Sequence, residues 1–139
     1  MKRLILFFTL IVLTLVLIGC SSIKNTQNSS GTTSQKTYQS ISQDEAKKIM
    51  ETDTNYIIVD VRRPDEFGAG HIPNAICIPN EEINTETPAQ LPDLDQIILV
   101  YCRSGRRSKE ASQKLADMGY TNIYEFGGII DWTGEIVVD

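Results

Sequence analysis

Continuous apolar runs, rather than alternating apolar and polar positions, mark the strands of this chain. Tyr56–Val61 and Ile97–Tyr101 are runs of this kind, and Ala75–Ile78 is a shorter one. Strands covered on both faces by helices show this pattern, because neither face meets water. A last strand is predicted over Asn122–Phe126. The pattern therefore predicts parallel strands buried inside an α/β domain.

Two segments carry helical signals. Ser42 and Glu45 form a capping box, in which each side chain can bond the backbone of the other residue, so a helix is predicted from there to about Met50. Apolar residues recur at helical spacing within Arg106–Met118, and Gly119 is placed to end that helix with a left-handed cap. Strands alternating with helices favour an open, largely parallel sheet with helices on both sides.

The N-terminal segment has the layout of a secretory signal. Two basic residues precede the apolar stretch Leu4–Ile18, which is short for a membrane span of about 20 apolar residues. Residues 17–20 read Leu-Ile-Gly-Cys and resemble the bacterial lipobox, where a peptidase cuts before a lipidated cysteine. We therefore expect residues 1–19 to be a signal peptide and Cys20 to anchor the chain to the extracytoplasmic face of the cell membrane. An uncleaved anchor or a buried apolar helix is the alternative.

A polar tether separates this segment from the globular part. Nearly every residue from Ser21 to Gln35 is Ser, Thr, Asn, Gln or Gly, a composition that buries little and stays flexible. We expect residues 20–37 to comprise the lipidated cysteine and a flexible linker. Residues 38–139 are expected to form one domain, since a chain of 139 residues with such a leader leaves room for one core.

The charge pattern narrows the choice of partner. The net charge is −5, from 13 basic and 18 acidic side chains, so the chain has no broad basic field and nucleic acid is not an expected partner. One local cluster of basic residues breaks this pattern: Arg103, Arg106, Arg107 and Lys109. The three cysteines lie in three different contexts and suggest no disulfide framework: Cys20, Cys77 and Cys102.

Cys102 is the main candidate for a catalytic residue. It directly follows a buried strand, as Asp60 closes another, and the carboxyl ends of parallel strands form the edge where such sheets bind ligands. The loop from Cys102 to Ser108 leads into a helix, so its amides and the positive helix end can point at the sulfur, and Gly105 permits the tight curl. Amides and guanidinium groups lower a thiol pKa from about 8.5, which predicts a thiolate at neutral pH. The alternative is a surface loop with an inert cysteine.

Three blocks of sequence resemble rhodanese-like sulfurtransferases. The loop Cys102-Arg103-Ser104-Gly105-Arg106-Arg107-Ser108 is similar to the active-site loop of that family, a six-residue cradle from Cys102 to Arg107. The second block is Asp60-Val61-Arg62 with Glu66-Phe67 and Gly70-His71-Ile72-Pro73-Asn74-Ala75, and the third is Gly127-Gly128 followed by Trp132. Together the blocks cover most of the chain from Ile41 onward.

The resemblance implies a fold and a reaction. The fold is a three-layer α/β/α arrangement with a five-stranded parallel sheet. In the reaction, the thiolate of Cys102 takes the outer sulfur of thiosulfate or a similar small anion, releases sulfite, and carries the sulfur as a persulfide to a thiol, a thiol protein or cyanide. No metal or organic cofactor takes part. The residues expected to bind the donor are Arg103, Ser104, Gly105, Arg106, Arg107 and Ser108.

Cysteine phosphatases of related fold and arsenate reductases are the nearest rivals. Those phosphatases use a seven-residue cradle with Arg six positions after Cys, and that position here is Ser108. Tyr101 also stands where many of them have His, so both departures disfavour these chemistries. A non-enzymatic persulfide carrier or thiol sensor would have the same loop and stays open. An exported thiolate also needs a reductant or persulfide capping, because no glutathione pool protects it.

Residues near the candidate nucleophile are expected to support it rather than react. The resemblance favours an ion-paired network of Asp60, Arg62 and Glu66 that fixes the wall of the site. A general-base role for His71 is the alternative to a structural brace, which its Gly-His-Ile context favours.

The remaining candidates are also expected to be structural. The family topology places Cys77 on a strand separated from that of Cys102 by another strand, and strands lie about 4.8 Å apart, so burial is expected and a disulfide is not. Gly127 and Gly128 are expected to allow a close backbone turn, and Trp132 to pack against the domain, with a place at the pocket border as the alternative. After Trp132, the segment Thr133-Gly134-Glu135 lacks the later Gly and Pro that are common in the family.

Overall fold

Residues 37–138 are the part of the chain that the computed structural model describes. The expected signal peptide over residues 1–19, the expected lipid site Cys20 and almost all of the expected linker lie outside the described residues. Within residues 37–138, no helix combines the length and the apolar character that crossing a membrane requires.

Within residues 37–138, five parallel strands form one sheet: β1 Gln39–Ser40, β2 Tyr56–Asp60, β3 Ala75–Cys77, β4 Ile97–Cys102 and β5 Asn122–Gly128. Their spatial order is β1-β5-β4-β2-β3, which confirms the expected five-stranded parallel sheet. The most continuously apolar strand, β4, lies at the centre and pairs with a neighbour along each side. Its carboxyl end is therefore held by backbone hydrogen bonds to both neighbours.

In the described part of the chain, three helices and a short 3-10 turn accompany the sheet: α1 Gln43–Thr52, α2 Pro64–Gly68, α3 Arg106–Met118 and the turn Ile129–Asp131. The sequence predicts α1 and α3 but neither α2 nor β1. Helix α2 has five residues, too few to show a helical repeat, and it starts at Pro64, whose fixed φ suits a first turn. Strand β1 has two residues and pairs only with β5.

The predicted helix ends are confirmed. The Ser42 hydroxyl accepts a hydrogen bond from the Glu45 amide at 3.2 Å, and the Glu45 carboxylate accepts one from the Ser42 amide at 2.8 Å. Helix α3 ends at Gly119, whose φ of 110° is left-handed, so a side chain there would be strained. Local chemistry therefore sets the start of α1 and the end of α3.

Successive side chains of β4 point to opposite faces of the sheet, and each face has its own hydrophobic core. Val100 and Cys102 face one core together with Leu115 of α3. Leu99 packs in the other core with Ala46 of α1. Helices thus cover both faces, which explains the continuous apolar run in the sequence and gives the three-layer arrangement.

Trp132 packs against the domain, as expected. Its ring lies 5.7 Å from the ring of Phe126, and the ammonium group of Lys47 lies 5.0 Å from its centroid. A Cβ atom on Gly134 would overlap the indole ring. The unusual residues after Trp132 thus include a glycine that lets the backbone pass closely over that ring.

Candidate active site

Cys102 lies at the carboxyl end of the central strand, where the backbone is irregular. The register between β4 and β5 shifts between Val100 and Cys102, and Cys102 is paired with Gly128. Such a shift bends a strand and can turn a side chain in a new direction. The Cys102 sulfur contacts the cradle loop: the amide of Gly105 donates to it at 3.1 Å. The expected convergence of loop amides on the sulfur is therefore seen in the structure.

Two glycines allow the cradle to curl and to pack. Gly105 has a φ of 98°, a left-handed conformation that side chains rarely adopt, and it directly precedes helix α3. A Cβ atom on Gly128 would overlap the carbonyl oxygen of Arg103, so only glycine lets β5 approach the loop this closely. Both positions fix the loop around Cys102 through backbone geometry rather than side-chain contacts.

The pKa of the Cys102 thiol is lowered from its ordinary value by opposing effects. Burial raises it, since the residue is only 1% exposed. Hydrogen bonds from the Ser108 hydroxyl and from the amides of Ser108, Ser104 and Gly105 act the other way and prevail. Hydrogen bonds donated to a thiolate stabilise it relative to the thiol, so these contacts favour ionisation of Cys102 despite its burial.

A polar cavity of about 380 Å³ opens in front of the sulfur. Four arginines and two glutamates line it together with Cys102 and Ser104: Arg63, Arg103, Arg106, Arg107, Glu66 and Glu81. The excess of positive charge suits a small anion. The volume lies at the small end of the usual range for ligand sites, so the cavity suits a small molecule.

Arg107 is not free to hold an anion alone, because it pairs with Glu66. Its two terminal nitrogens lie 2.7 and 2.8 Å from the two oxygens of that carboxylate. The Arg107 hydrogen bonds are the largest cause that lowers the Glu66 pKa, to about 2. Glu66 therefore does not join the ion pair of Asp60 and Arg62, and the expected three-residue network is wrong. The pair instead ties α2 to the start of α3.

Arg103 and Arg106 are the more available cations. Both residues are exposed, and the ion pair that Arg106 makes with Glu110 across one helical turn is long, at 3.6 Å. Exposed pairs of this kind contribute little stability, so the guanidinium can turn toward a ligand at small cost. These two side chains fit the anion-holding role expected from the sequence better than Arg107 does.

Asp60 and Arg62 form a buried ion pair behind the site. The Arg62 guanidinium donates to both oxygens of Asp60, at 2.6 to 3.0 Å, and to the carbonyl oxygen of Gly70 at 2.7 Å. The side chains are 0% and 7% exposed. The pair thus fastens the end of β2 to the loop before β3, which is a supporting role.

His71 is placed as a brace. Its ring stacks on Phe67 with the ring centroids 3.7 Å apart, and Nδ1 lies 3.1 Å from the Phe67 carbonyl oxygen. Its backbone pairs with that of Val137 through two hydrogen bonds of 2.9 Å. These contacts hold the helix end and the C-terminal segment together.

Cys77 is a free, partly buried thiol, and it does not bond to Cys102, which is also free. Strand β2 lies between their two strands, as expected. Burial is the main reason that the pKa of Cys77 is raised from its ordinary value. The surroundings therefore raise the pKa of Cys77 and lower the pKa of Cys102.

Sequence reasoning missed Glu125, a buried carboxylate directly beneath the cradle. It is 2% exposed, lies on β5, and accepts a hydrogen bond of 2.7 Å from the Ser108 hydroxyl. The sequence did offer a signal for this site: Glu125 is a charged residue between apolar residues of the predicted strand Asn122–Phe126. Ser108, expected to bind the donor, has its side chain buried against Glu125 rather than facing the cavity in front of the sulfur.

No group of three or more metal-ligating side chains lies together within residues 37–138.

Comparisons with known proteins agree with this site. The model of the rhodanese-like domain matches residues 42–135. The thiosulfate sulfurtransferase PspE of Escherichia coli strain K12 is 37% identical over 73 residues, covering 52% of this chain and 70% of that protein. The thiosulfate:glutathione sulfurtransferase of Saccharomyces cerevisiae is 32% identical over 107 residues, covering 68% and 77%. A solved structure of a rhodanese with anions from E. coli has a TM-score of 0.56 and 33% identity, covering 60% of this chain and 99% of that one.

Proposed function

The chain belongs to the rhodanese-like domain family, and from this we propose that it transfers sulfane sulfur from thiosulfate or a similar small anion to a thiol or cyanide, through a persulfide on Cys102. One observation carries the proposal. The sulfur of Cys102 accepts a hydrogen bond from the Gly105 amide at 3.1 Å, and the arginine-lined cavity lies in front of this sulfur. A nucleophile and a binding site for its anionic donor thus share one loop.

The reaction has two displacement steps. The Cys102 thiolate attacks the outer sulfur of thiosulfate, a bond forms between the two sulfurs, and the bond from that sulfur to the sulfonate group breaks. Sulfite leaves with the bonding electron pair, and the negative charge of the thiolate passes to the persulfide. In the second step, the anion of an acceptor thiol or cyanide attacks the outer sulfur and releases the Cys102 thiolate.

The site supports these steps through electrostatics. Loop amides and the N-terminus of α3 favour negative charge at the Cys102 sulfur both before attack and after release. Arg103 and Arg106 at the cavity wall would hold the sulfonate of the donor. Arg107 is held in place by its ion pair with Glu66. Its positive charge would therefore stabilise the bound anion through the electric field in the cavity rather than through direct hydrogen bonds.

A turnover assay tests the proposal. We expect the full chain in detergent to convert thiosulfate and cyanide to thiocyanate and sulfite over many cycles, and the Cys102→Ser variant to show none. Cys77→Ser, which changes a thiol outside the cavity, is the matched control and should keep the activity. Loading of a single sulfur without turnover would instead indicate a persulfide carrier, and hydrolysis of an aryl phosphate would indicate a phosphatase.

We also propose that the chain is exported and lipid-anchored through Cys20. The proposal rests on the apolar stretch Leu4–Ile18, the Leu-Ile-Gly-Cys ending and the polar residues that follow. In a bacterial host, radiolabelled palmitate should label the wild-type chain, which should fractionate with membranes. The Cys20→Ser variant should lose the label. A labelled Cys20→Ser variant would contradict the assignment.

A further inference from the structure

Most charged side chains on the wall of the active-site cavity have a partner of opposite charge. Three of the four arginines there make ion pairs with carboxylates, and the third such pair joins Arg63 to Asp65 at 2.7 Å. Arg103 and Glu81 differ from the rest, since neither makes an ion pair with another side chain of residues 37–138. One positive and one negative charge on this wall are therefore available to a ligand.

Glu81 lies on a loop whose backbone is anchored on both sides. Asn80 before it is buried, and the ammonium group of Lys114 on α3 donates to the Asn80 carbonyl oxygen at 2.9 Å. Ile83, two positions after Glu81, is fully buried in the core. The residue is thus held at the cavity wall, although it is exposed.

Glu81 and the nucleophile act on the same guanidinium group. The hydrogen bonds with Glu66 are the largest cause that raises the pKa of Arg107, and the negative charges of Cys102 and Glu81 raise it further. Arg107 therefore lies within electrostatic reach of both residues. A small molecule that reacts at the Cys102 sulfur would also be close enough to Glu81 to interact with its charge.

The proposed sulfur donor gives no reason for an available acid on this wall. Thiosulfate carries only negative charge, which Arg103 attracts and Glu81 repels. The two displacement steps use the cavity in turn, because sulfite leaves before the acceptor reacts. An anionic group of the acceptor can then take the place of the sulfonate, and a positive group of the acceptor can bind Glu81.

We infer that the sulfur acceptor is an amino-acid thiol, whose carboxylate binds Arg103 and whose ammonium group binds Glu81. The acceptor loses its thiol proton to solvent, and its thiolate attacks the outer sulfur of the persulfide. A bond forms between these two sulfurs, the bond to Cys102 breaks, and the bonding electron pair stays on Cys102 as the thiolate. The product is the persulfide of the acceptor. This inference rests on the proposed function and names its acceptor class, with Glu81 as a specificity-determining residue.

Binding of unreactive analogues tests the inference without any sulfur transfer. S-Methylcysteine carries both charged groups, whereas 3-(methylthio)propionate lacks only the ammonium group. Each analogue is added to the reduced full chain, and the alkylation of Cys102 by iodoacetamide is followed by peptide mass mapping. We expect S-methylcysteine to protect Cys102 at a concentration about three- to fivefold lower, as one exposed ion pair would give.

Two adjacent acids offer a matched pair of variants. Glu81→Gln removes the acid from the cavity wall and should abolish the difference between the two analogues. Glu82→Gln makes the same substitution at an exposed residue that does not line the cavity, and should keep the difference. Because both acids are exposed on a loop, both variants should fold. Arg103→Gln should weaken protection by both analogues, since each carries the carboxylate.

Three results would overturn the inference: equal protection by the two analogues in the wild-type chain, no protection by either, or an unchanged difference in Glu81→Gln. Failure of the proposed function would look different, because the chain would then gain no sulfur from thiosulfate. With a loaded chain, discharge of the Cys102 persulfide gives a second measurement. The ratio of the discharge rates with cysteine and with 3-mercaptopropionate should fall about three- to fivefold in Glu81→Gln and stay unchanged in Glu82→Gln. The intrinsic reactivities of the two thiols cancel when variants are compared.

Discussion

Replacing Glu66 with Gln should destabilise the chain by an amount that depends on pH. The pKa of Glu66 is about 2, against 4.5 for an ordinary glutamate, mainly because Arg107 donates to both of its oxygens. At about 1.4 kcal/mol for each pKa unit, the contacts of the carboxylate stabilise the folded state by at most about 3.5 kcal/mol. The two side chains are 18% and 15% exposed, so water screens them in part, and Gln keeps one acceptor oxygen. We expect a loss of about 1–2 kcal/mol at pH 7.

The pH dependence has a definite sign. Because the folded pKa lies below the ordinary value, the stabilisation by Glu66 is complete above about pH 4.5 and is lost as the pH falls toward about 2. Urea unfolding of both chains, followed by the fluorescence of Trp132, measures the difference in the free energy of unfolding. That difference should shrink as the pH is lowered through this window.

A matched control distinguishes the loss of the Glu66–Arg107 ion pair from the general effect of removing one negative charge. Glu51→Gln makes the same substitution at an exposed position on α1, and should change the free energy of unfolding by less than about 0.5 kcal/mol. If Glu66→Gln behaved like Glu51→Gln at pH 7, or if its effect did not change with pH, the Glu66–Arg107 ion pair would not stabilise the start of α3.

Further predictions follow from single contacts. Gly128→Ala should reduce the alkylation rate of Cys102 at least tenfold, because the added Cβ atom would overlap the backbone of the cradle loop. Gly68→Ala places its Cβ atom in open space and should leave that rate unchanged. Leu115→Ala should lower the free energy of unfolding by about 2–5 kcal/mol in urea, since that side chain is fully buried in the core beneath α3. At pH 7, iodoacetamide should label Cys102 faster than Cys77, because their pKa values are shifted in opposite directions, and peptide mass mapping would show the order.

The parts of the fold that the sequence predicts are those with a repeating pattern. The runs of β2 and β4 and the spacing in α3 extend over enough residues for burial to leave a readable signal. Helix α2 and strand β1 are too short to do so. The start of α1 and the end of α3 were predictable because a capping box and a glycine act locally.

The position of Cys102 was predictable, but the partners of the residues around it were not. The order of strand, cysteine, basic loop and helix places Cys102 at the sheet edge without any tertiary information. The Glu66–Arg107 pair joins residues 41 positions apart, and no local pattern indicates which acid an arginine will contact. Glu125 reads as an ordinary charged residue until the packing of β5 against α3 shows that it is buried.

The structure combines burial and ionisability at one sulfur. Cys102 is 1% exposed, and burial alone would keep it a thiol. The cradle reverses this tendency because its amides are already oriented by Gly105 and by the helix that follows. The cradle is therefore already arranged for negative charge at this sulfur.

The mass of the intact chain after treatment with thiosulfate shows whether Cys102 accepts sulfur. The reduced full chain should gain one sulfur atom, peptide mapping should locate it on Cys102, and sulfite should appear in equal amount. The Cys102→Ser chain should gain none. No gain in the wild-type chain after reduction, or an equal gain in both chains, would contradict the assignment of Cys102 as the sulfur-accepting nucleophile.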